Sequence, residues 1–549
     1  MTKVILNKKL VLSLLRKKLN DKELEEKITM LGTSLEEMNE NDLVIEVLPN
    51  RPDLLSEQGF VRAFNSFLGY ETGLKNYKIN NSNEAVIIEN SVKDVRPFTA
   101  CAIIKNLNLN NDRIKEIIQL QEKLHITYGR NRKKVAIGIY PFEKIKTPIK
   151  FLALEPEKIK FKPLGYDKIM NANEILTKHE TGKKYSHLLK NMKKYPIFID
   201  ANNNILSMPP IINSQDIGEI TVKTKDVFIE CSGFNFQVLN KCLNIIVTNL
   251  DDMGGKIYSM KLKYGNKIFI TPNLKPDEMK INIENVNKLL GLNLKENDVK
   301  KYLEKMGFGY KNKKVLIPAY RTDIMHEVDL IEDIAIAYGY ENFNAEIPNI
   351  STIGKEDEFE SFKNKIADFL IGLNLLEVSS YVLSNKHDQN ERMFVKDRLI
   401  MLANSLNQDY NSLRTWLAPS LLKILKENKH NEYPQRIFEI GRVFAKDKSE
   451  TNVKEYDKIG IVLSDIKANF TDIRQILDAL FNALNIKYEI DEKEHESFTK
   501  GRTAKVLLNN KEIAYFGEIN PTVLERWDLE FPVVALELDL EELFKFRKS

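Results

Sequence analysis

Cysteine is scarce in this chain of 549 residues: there are three, Cys101, Cys231 and Cys242. They have no metal-ligand spacing, and nothing about them requires disulfides, which points to a reducing compartment. No apolar run is long enough to span a membrane, and the N-terminal stretch MTKVILNKKL lacks a secretory core. A cytoplasmic protein without membrane contact is therefore expected. Net charge is nearly absent as well, with 82 Lys and Arg against 78 Asp and Glu. So even a balance gives little support for wholesale nucleic-acid binding, and any RNA contact must come from local patches. Also missing are the phosphate loop GxxxxGK[ST], the GxSxG elbow, HExxH and paired CxxC motifs.

Hydrophobic residues at 43% are enough for real cores, and charged residues at 29% are ordinary for a globular chain. This length predicts several domains. Four blocks emerge: 1–80, 81–270, 271–348 and 355–549, with the best linker between the last two at 351–357. The first block reads as two helices and a strand, with Asp21 and Ser56 as helix caps. Arg51 and Asp53 beside Pro52 read as a stabilised turn. In the second block, strands at 100–107 and 135–140 flank a helix capped by Asn111. Asp200 to Asn204 supply turn chemistry for a hairpin that Pro209 and Pro210 stop after Ser207. A strand at 227–231 then precedes a helix carrying Val238, Cys242, Ile245 and Ile246. The short basic cluster Arg130, Arg132, Lys133 and Lys134 reads as a solvated turn, and His179-Glu180 as surface polarity. The third block, two helices (the second capped by Asn297) and a strand, resembles a helix-turn-helix or winged module. The last block sets long helices among strands, with Asn509-Asn510 as a hairpin turn. The fold class predicted is α+β multidomain.

Within RTDIMHEVDLIEDIAIAYGY, Asp323 follows a short strand, while Asp329, Glu332 and Asp333 sit at i, i+3 and i+4 on one helical face. Carboxylates converging from a loop and a helix suit a hard cation such as Mg²⁺. Acids also collect in a helix's first turn simply because they complement its dipole.

PNRPDLLS, GRNRKKVAIGIY, HETGKKY, SMPPIINS, YRTDI…DLIEDIAIAYGY, FEIGRVF and FGEINP follow one another in this order. Together they resemble the beta subunit of phenylalanyl-tRNA synthetase, of the archaeal and eukaryotic cytosolic type. That resemblance implies an α2β2 heterotetramer in which the alpha subunit uses ATP to charge tRNA(Phe). It implies a helix-turn-helix-like module binding Mg²⁺ through Asp323, Asp329, Glu332 and Asp333. The last block would be a class II synthetase-like antiparallel sheet domain that has lost catalysis, with Arg436 and Glu439 as structural relics. An α/β editing domain at 81–270 would hydrolyse mischarged tyrosyl-tRNA. By position, Glu230 would accept the phenolic proton, Ser207 would contact substrate or the attacking water, and Phe198 would form a pocket wall. Ser207 has no neighbouring His or Lys in sequence to activate it, which favours water attack over a covalent serine route. The family pattern commonly places Asp at position 230, and Val-Thr-Gly where this chain has Cys231-Ser232-Gly233. A stand-alone deacylase and a scaffold with a decayed editing site are the alternatives.

Overall fold

The computed structural model describes residues 2–348 and 352–548, and the chain divides into two compact units, residues 1–347 and 348–549. The expected linker begins at Ser351, which lies outside the described residues.

Unit 1 opens with β1 (Thr2–Asn7), α1 (Asp21–Met30), β2 (Ser34–Met38) and β3 (Asp42–Val47), the strands ordered β1-β3-β2. The cap of α1 is Asn20 rather than Asp21. Asn20 accepts from the Glu23 amide and Glu23 reaches back to the Asn20 amide, a reciprocal capping box that leaves Asp21 facing the dipole from the first turn. Ser56 caps α2 (Glu57–Phe67) by accepting from the Gly59 amide.

A large, mostly antiparallel sheet follows. It contains β4 (Ala85–Ile88), β5 (Phe98–Lys105), β6 (Val135–Pro141), β7 (Ile149–Leu154), β8 (Tyr195–Ile199), β9 (Ile205–Met208), β10 (Ile212–Asn213), β11 (Val227–Gly233), β12 (Lys256–Tyr264) and β13 (Lys267–Thr271). The order is β10-β9-β8-β7-β4-β12-β5-β11-β6, with β13 pairing β12. β12 changes partners along its length: Lys256 to Ser259 pair with β5, while residues 261–264 pair with β4 on one side and β13 on the other. Helices α3 (Asn111–Ile126) and α4 (Phe236–Asp252) contribute to one core, which buries Ile117, Leu124, Leu243 and Val247. The cap of α3 is Asn110, one residue before the expected Asn111, and it accepts from the Arg113 amide. His179 is buried, its Nε2 3.1 Å from the Leu164 carbonyl and its Nδ1 capping a helical turn. The surface reading of that residue is thereby corrected: two backbone partners make up for its lost hydration.

The unit closes with β14 (Asp277–Lys280), α5 (Ile283–Leu290), α6 (Glu296–Lys305), β15 (Gly309–Lys311), β16 (Lys314–Ile317) and α7 (Glu327–Tyr338). The strands order as β14-β16-β15 beside the helices. α6 begins before the expected Asn297 cap because Asp298 takes the Lys295 amide at 2.9 Å. Val286, Leu303, Phe308 and Leu330 join the core that also holds Phe60 and Phe64 of α2.

Unit 2 is built on a seven-stranded sheet flanked by helices, beside a small three-stranded sheet of Leu383–Ser384, Ser412–Leu413 and Ile400–Met401. Its elements are α8 (Glu358–Gly372), β17 (Leu376–Glu377), α9 (Ala418–Glu427), β18 (Gln435–Lys446), β19 (Val453–Ser464), α10 (Phe470–Ala483), β20 (Glu489–Glu492), β21 (Phe498–Leu508), β22 (Lys511–Ile519), β23 (Val533–Asp539) and α11 (Leu540–Lys548). The order is β17-β18-β19-β23-β22-β21-β20, antiparallel except at β17. Asn509 and Asn510 both take positive φ, +49° and +61°, as a two-residue hairpin between β21 and β22 requires. No helix among the described residues is long and apolar enough to cross a membrane.

Candidate functional site

A cavity of about 440 Å³ opens between α3, the edge strand β6 and the β9–β10 turn. Its size falls within the range of small-ligand sites. α3 contributes Ile114 and Ile117 as an apolar wall, then Gln121 and His125 a turn and two turns further on. These two polar side chains cover the free edge of β6: Gln121 Nε2 donates to the Ile137 carbonyl at 2.9 Å, and the Ile137 amide donates to His125 Nε2 at 2.8 Å. The opposite wall is the Pro209-Pro210 turn, whose peptide bond is cis, with Ser207 and Asn213 on either side.

Ser207 and Glu230 both line this cavity, so the structure brings two of the three sequence-derived pocket residues together. Phe198 stands across from Ser207 in the β8–β9 register, but its ring stacks on Phe151 at 4.3 Å in the core and does not line the cavity. Directly opposed residues share a face, so what separates the two is packing: the large Phe198 ring is fully buried against Phe151, while the small Ser207 is left at the cavity.

Glu230 is buried, and burial pushes its pKa up to about 8 against the opposing pull of Arg96, Tyr140 and Ser232. Tyr140 Oη lies 3.2 Å from Glu230 Oε1 and 3.3 Å from Asn213 Oδ1. Gly138 faces Glu230 across the ladder, and a Cβ there would lie 2.0 Å from Tyr140 Oη, so only glycine leaves that hydroxyl its place. The remaining polar atoms are unspent. Ser207 Oγ, Glu230 Oε2 and Arg132 Nε are buried with no hydrogen-bond partner among the described residues. Buried polar atoms are normally satisfied, and these three belong to residues that line one cavity.

His125 is held rather than free to react. Its Nε2 accepts the Ile137 amide, which leaves the proton on Nδ1, 3.1 Å from Glu122 Oε1. Burial keeps its pKa below the ordinary histidine range, and it is neutral near pH 7. Glu122 is held down to about 2 by the His125 hydrogen bond and the Arg132 charge. Both imidazole nitrogens are thus committed. Arg132 is no solvated side chain: Nη1 donates to the Ile211 carbonyl at 2.8 Å, Nη2 to Glu122 at 3.0 Å, and the guanidinium covers the Tyr185 ring. Its neighbours Arg130 and Lys133 do face solvent. Sequence reading missed Gln121, His125, Arg132, Tyr140 and Asn213. One signal was available for the first two, polar residues at helical spacing on an otherwise apolar face.

The four acids proposed for a metal are distributed differently from their spacing. Asp323 receives both Arg321 Nε and Nη2, at 2.9 and 2.7 Å, and Asp333 receives Nη2 at 2.6 Å. Asp329 Oδ2 accepts the Met325 and His326 amides at the start of α7, and exposed Glu332 accepts Tyr340 Oη at 2.9 Å. All-carboxylate donors fit a hard cation in chemistry. As placed, however, no group of three or more His, Cys, Asp or Glu among the described residues converges as a ready metal site. Burial works against the Arg321 charge, but Asp333 and Asp323 overcome it, so this guanidinium supplies the cluster's positive charge.

Comparison with known proteins brings these observations into one frame. Residues 344–540 match the model of the phenylalanyl tRNA synthetase beta chain CLM domain, and residues 279–340 that of the tRNA synthetase B5 domain. A relative from Pyrococcus abyssi, named phenylalanine–tRNA ligase beta subunit, is 42% identical over 502 residues, 90% of both chains. A Methanocaldococcus jannaschii relative of the same name is 40% identical over 534 residues, 95% of this chain and 97% of its own. Among solved structures, an N-terminal fragment of the phenylalanyl-tRNA synthetase beta-subunit from Pyrococcus horikoshii is 39% identical with a TM-score of 0.59. It covers 61% of this chain and 99% of that fragment.

Proposed function

The chain belongs to the phenylalanine–tRNA ligase beta-subunit family, and from that premise we propose that its cavity hydrolyses tyrosyl-tRNA(Phe) while the subunit supports charging of tRNA(Phe) by alpha. The observation that carries this reading is that Ser207 and Glu230 line one cavity and that each has a buried oxygen, Oγ and Oε2, without a hydrogen-bond partner among the described residues. A phenol fills an acceptor that a phenyl ring leaves unpaired, and sites built to hydrogen-bond a hydroxyl reject the analogue lacking it by roughly 10⁴-fold. With His125 committed to β6 and Glu122, the supported chemistry is attack by water on the ester carbonyl. The carbonyl–ribose bond breaks, the carbonyl–water bond forms, and the proton passes to the departing ribose oxygen. Ser207 Oγ positions the water or the ester, and Glu230 orients the phenol.

The remaining assignments belong to the same proposal. The blocks 1–80, 81–270, 271–348 and 355–549 are read as an N-terminal domain, the editing domain, the magnesium module and the class II synthetase-like core. A non-catalytic role for that core is supported by Glu439, which is buried and engaged by Arg414 at 2.8 Å and by Ser380, while Arg436 is exposed. Asp323, Asp329, Glu332 and Asp333 would hold Mg²⁺, which would supply charge against the acids that Arg321 leaves unbalanced. Assembly as α2β2 with the alpha subunit, and use of ATP and Mg²⁺ by the complex, complete the reading.

Phenylalanine-dependent ATP–pyrophosphate exchange, run on this chain alone and with alpha from the same genome, tests the subunit role. Silence alone and exchange with alpha is expected, whereas silence in both from a well-folded chain would sink it. In the active complex, Ser207→Ala and Glu230→Ala are expected to cut tyrosyl-tRNA deacylation at least tenfold. Unchanged deacylation would leave a scaffold with a decayed site.

A further inference from the structure

The hydrolytic reading leaves unused an aromatic corner at the end of β11. Phe98 lies across from Gly233 in the ladder and is 36% exposed, Phe234 is 50% exposed, and Phe269 on β13 is 42% exposed. Half-buried rings tie Phe98 and Phe269 into one surface, with Phe234 following Gly233 in the chain at its edge. Phe236 stands 6.2 Å from Phe98 and 5.2 Å from Phe269, and Tyr264 stands 6.4 and 5.7 Å from the same two rings. Isolated exposed rings are ordinary, but contiguous ones mark a binding surface.

Local charge says what kind of partner fits. Between Asp252 and Asp277 the chain has Lys256, Lys261, Lys263, Lys267 and Lys275 and no acid, although acids and bases are nearly balanced over the whole chain. Lys267 pairs with Tyr264 across the β12–β13 hairpin and so shares the face of Tyr264 and Phe269, while exposed Lys263 stands on the other face of the same hairpin. Arg96 links the corner to the cavity wall. Its guanidinium stands 5.5 Å from the Phe234 ring and donates to the Ser232 carbonyl at 2.6 Å and to the carbonyl of Arg132, which itself lines the cavity. Exposed rings interleaved with lysines suit unpaired bases on a phosphate backbone, because every base offers a face to stack and every phosphate a charge to neutralise. β11 joins the two places directly. Glu230 in the cavity and Gly233 at the corner are three residues apart, about 10 Å at about 3.3 Å per residue.

We propose that this corner stacks the unpaired nucleotides next to the acylated end of tRNA, so that Phe234, Phe269 and Lys267 hold the strand whose last residue enters the cavity. The order of strand and cavity rests on the hydrolytic reading, but the stacking itself does not.

The test uses the assembled enzyme with alpha, wild type and the variants Phe234→Ala, Phe269→Ala, Phe269→Leu and Lys267→Glu. Each is titrated with intact tRNA(Phe) and with tRNA(Phe) trimmed of its unpaired 3′ nucleotides. Each Phe variant is expected to bind intact tRNA about tenfold more weakly and trimmed tRNA as wild type does, in line with base–aromatic stacking. Phe269→Leu keeps apolar bulk but loses the ring face, so retained affinity in that variant would overturn the proposal. Unchanged affinity in all variants, or loss of alpha in place of RNA, would overturn it too, the latter making the corner a protein interface. If the variants lose affinity as expected while the wild type leaves tyrosyl-tRNA intact, the hydrolytic reading alone falls. Normal affinity with intact hydrolysis would sink only the corner.

Discussion

At the scale of single residues, Glu230 and Ser207 are kept in a state that costs stability. Glu230 has an ordinary pKa of 4.5 and one of about 8 when folded. The native state therefore keeps a proton that the unfolded chain releases. That cost is absent below about pH 4.5, grows as pH rises, and is fully developed above about 8, so native stability is lost across that window. Glu116 is raised to about 8 as well, by burial and by its neighbour Glu57, so the wild-type curve alone does not isolate Glu230. The difference between wild type and Glu230→Gln does. Melting from pH 5 to 9 is expected to show the variant gaining on wild type toward alkaline pH, by on the order of 3–5 kcal/mol at the high end. A pH-independent difference would mean Glu230 titrates normally. Ser207→Ala is expected to raise stability by about 1 kcal/mol, because it removes a buried hydroxyl without a partner, while deacylation falls. Loss of both would make Ser207 structural. That these residues face a shared cavity was legible only through family motifs, since an acid in an apolar strand and a serine before two prolines are locally commonplace. Phe198 was misplaced because register shows which residues share a face but not which of them core packing claims, and the Phe198 ring is taken up by Phe151.

At the scale of elements, a single brace occurs twice. Arg51 donates Nε and Nη2 to Asp53 at 2.9 Å each, just before α2, and Arg321 does the same to Asp323 before α7. The two face each other inside unit 1, near enough that Arg51 and Asp323 act on one another electrostatically. The sequence reading took the first as a turn and the second as part of a metal site. The repeated Arg-x-Asp spacing was the available clue that both begin as helix-entry braces. Arg321→Met leaves Asp323 and Asp333 without their cation and is expected to destabilise unit 1 by about 3–5 kcal/mol in urea unfolding. If magnesium binds at the four acids, saturating Mg²⁺ recovers part of that loss and Asp329→Asn with Glu332→Gln abolishes the recovery. No recovery would leave the arginine as the cluster's cation. Element existence was readable because helical and strand periods are strong over long stretches. Caps were off by one at Asp21 and Asn111 because adjacent polar residues compete and only backbone geometry picks the winner.

At the scale of the molecule, the hydrophobic clusters respect the division into two units. Those of unit 1 draw on residues 4–337, and those of unit 2 on residues 362–543. A fragment ending at residue 347 is therefore expected to melt cooperatively on its own, with retained far-ultraviolet helix and strand signal. A molten, non-cooperative fragment would show that unit 1 needs the rest of the chain. Within that unit, β12 switches neighbours halfway along, serving the cavity-side strands with one half and the hairpin side with the other. Exposing the whole of β12 therefore requires its pairings with β5, β4 and β13 all to break. Deuterium from solvent should accordingly enter β12 last of all in unit 1, at the rate of global unfolding, making this strand a clock for the lifetime of the whole fold.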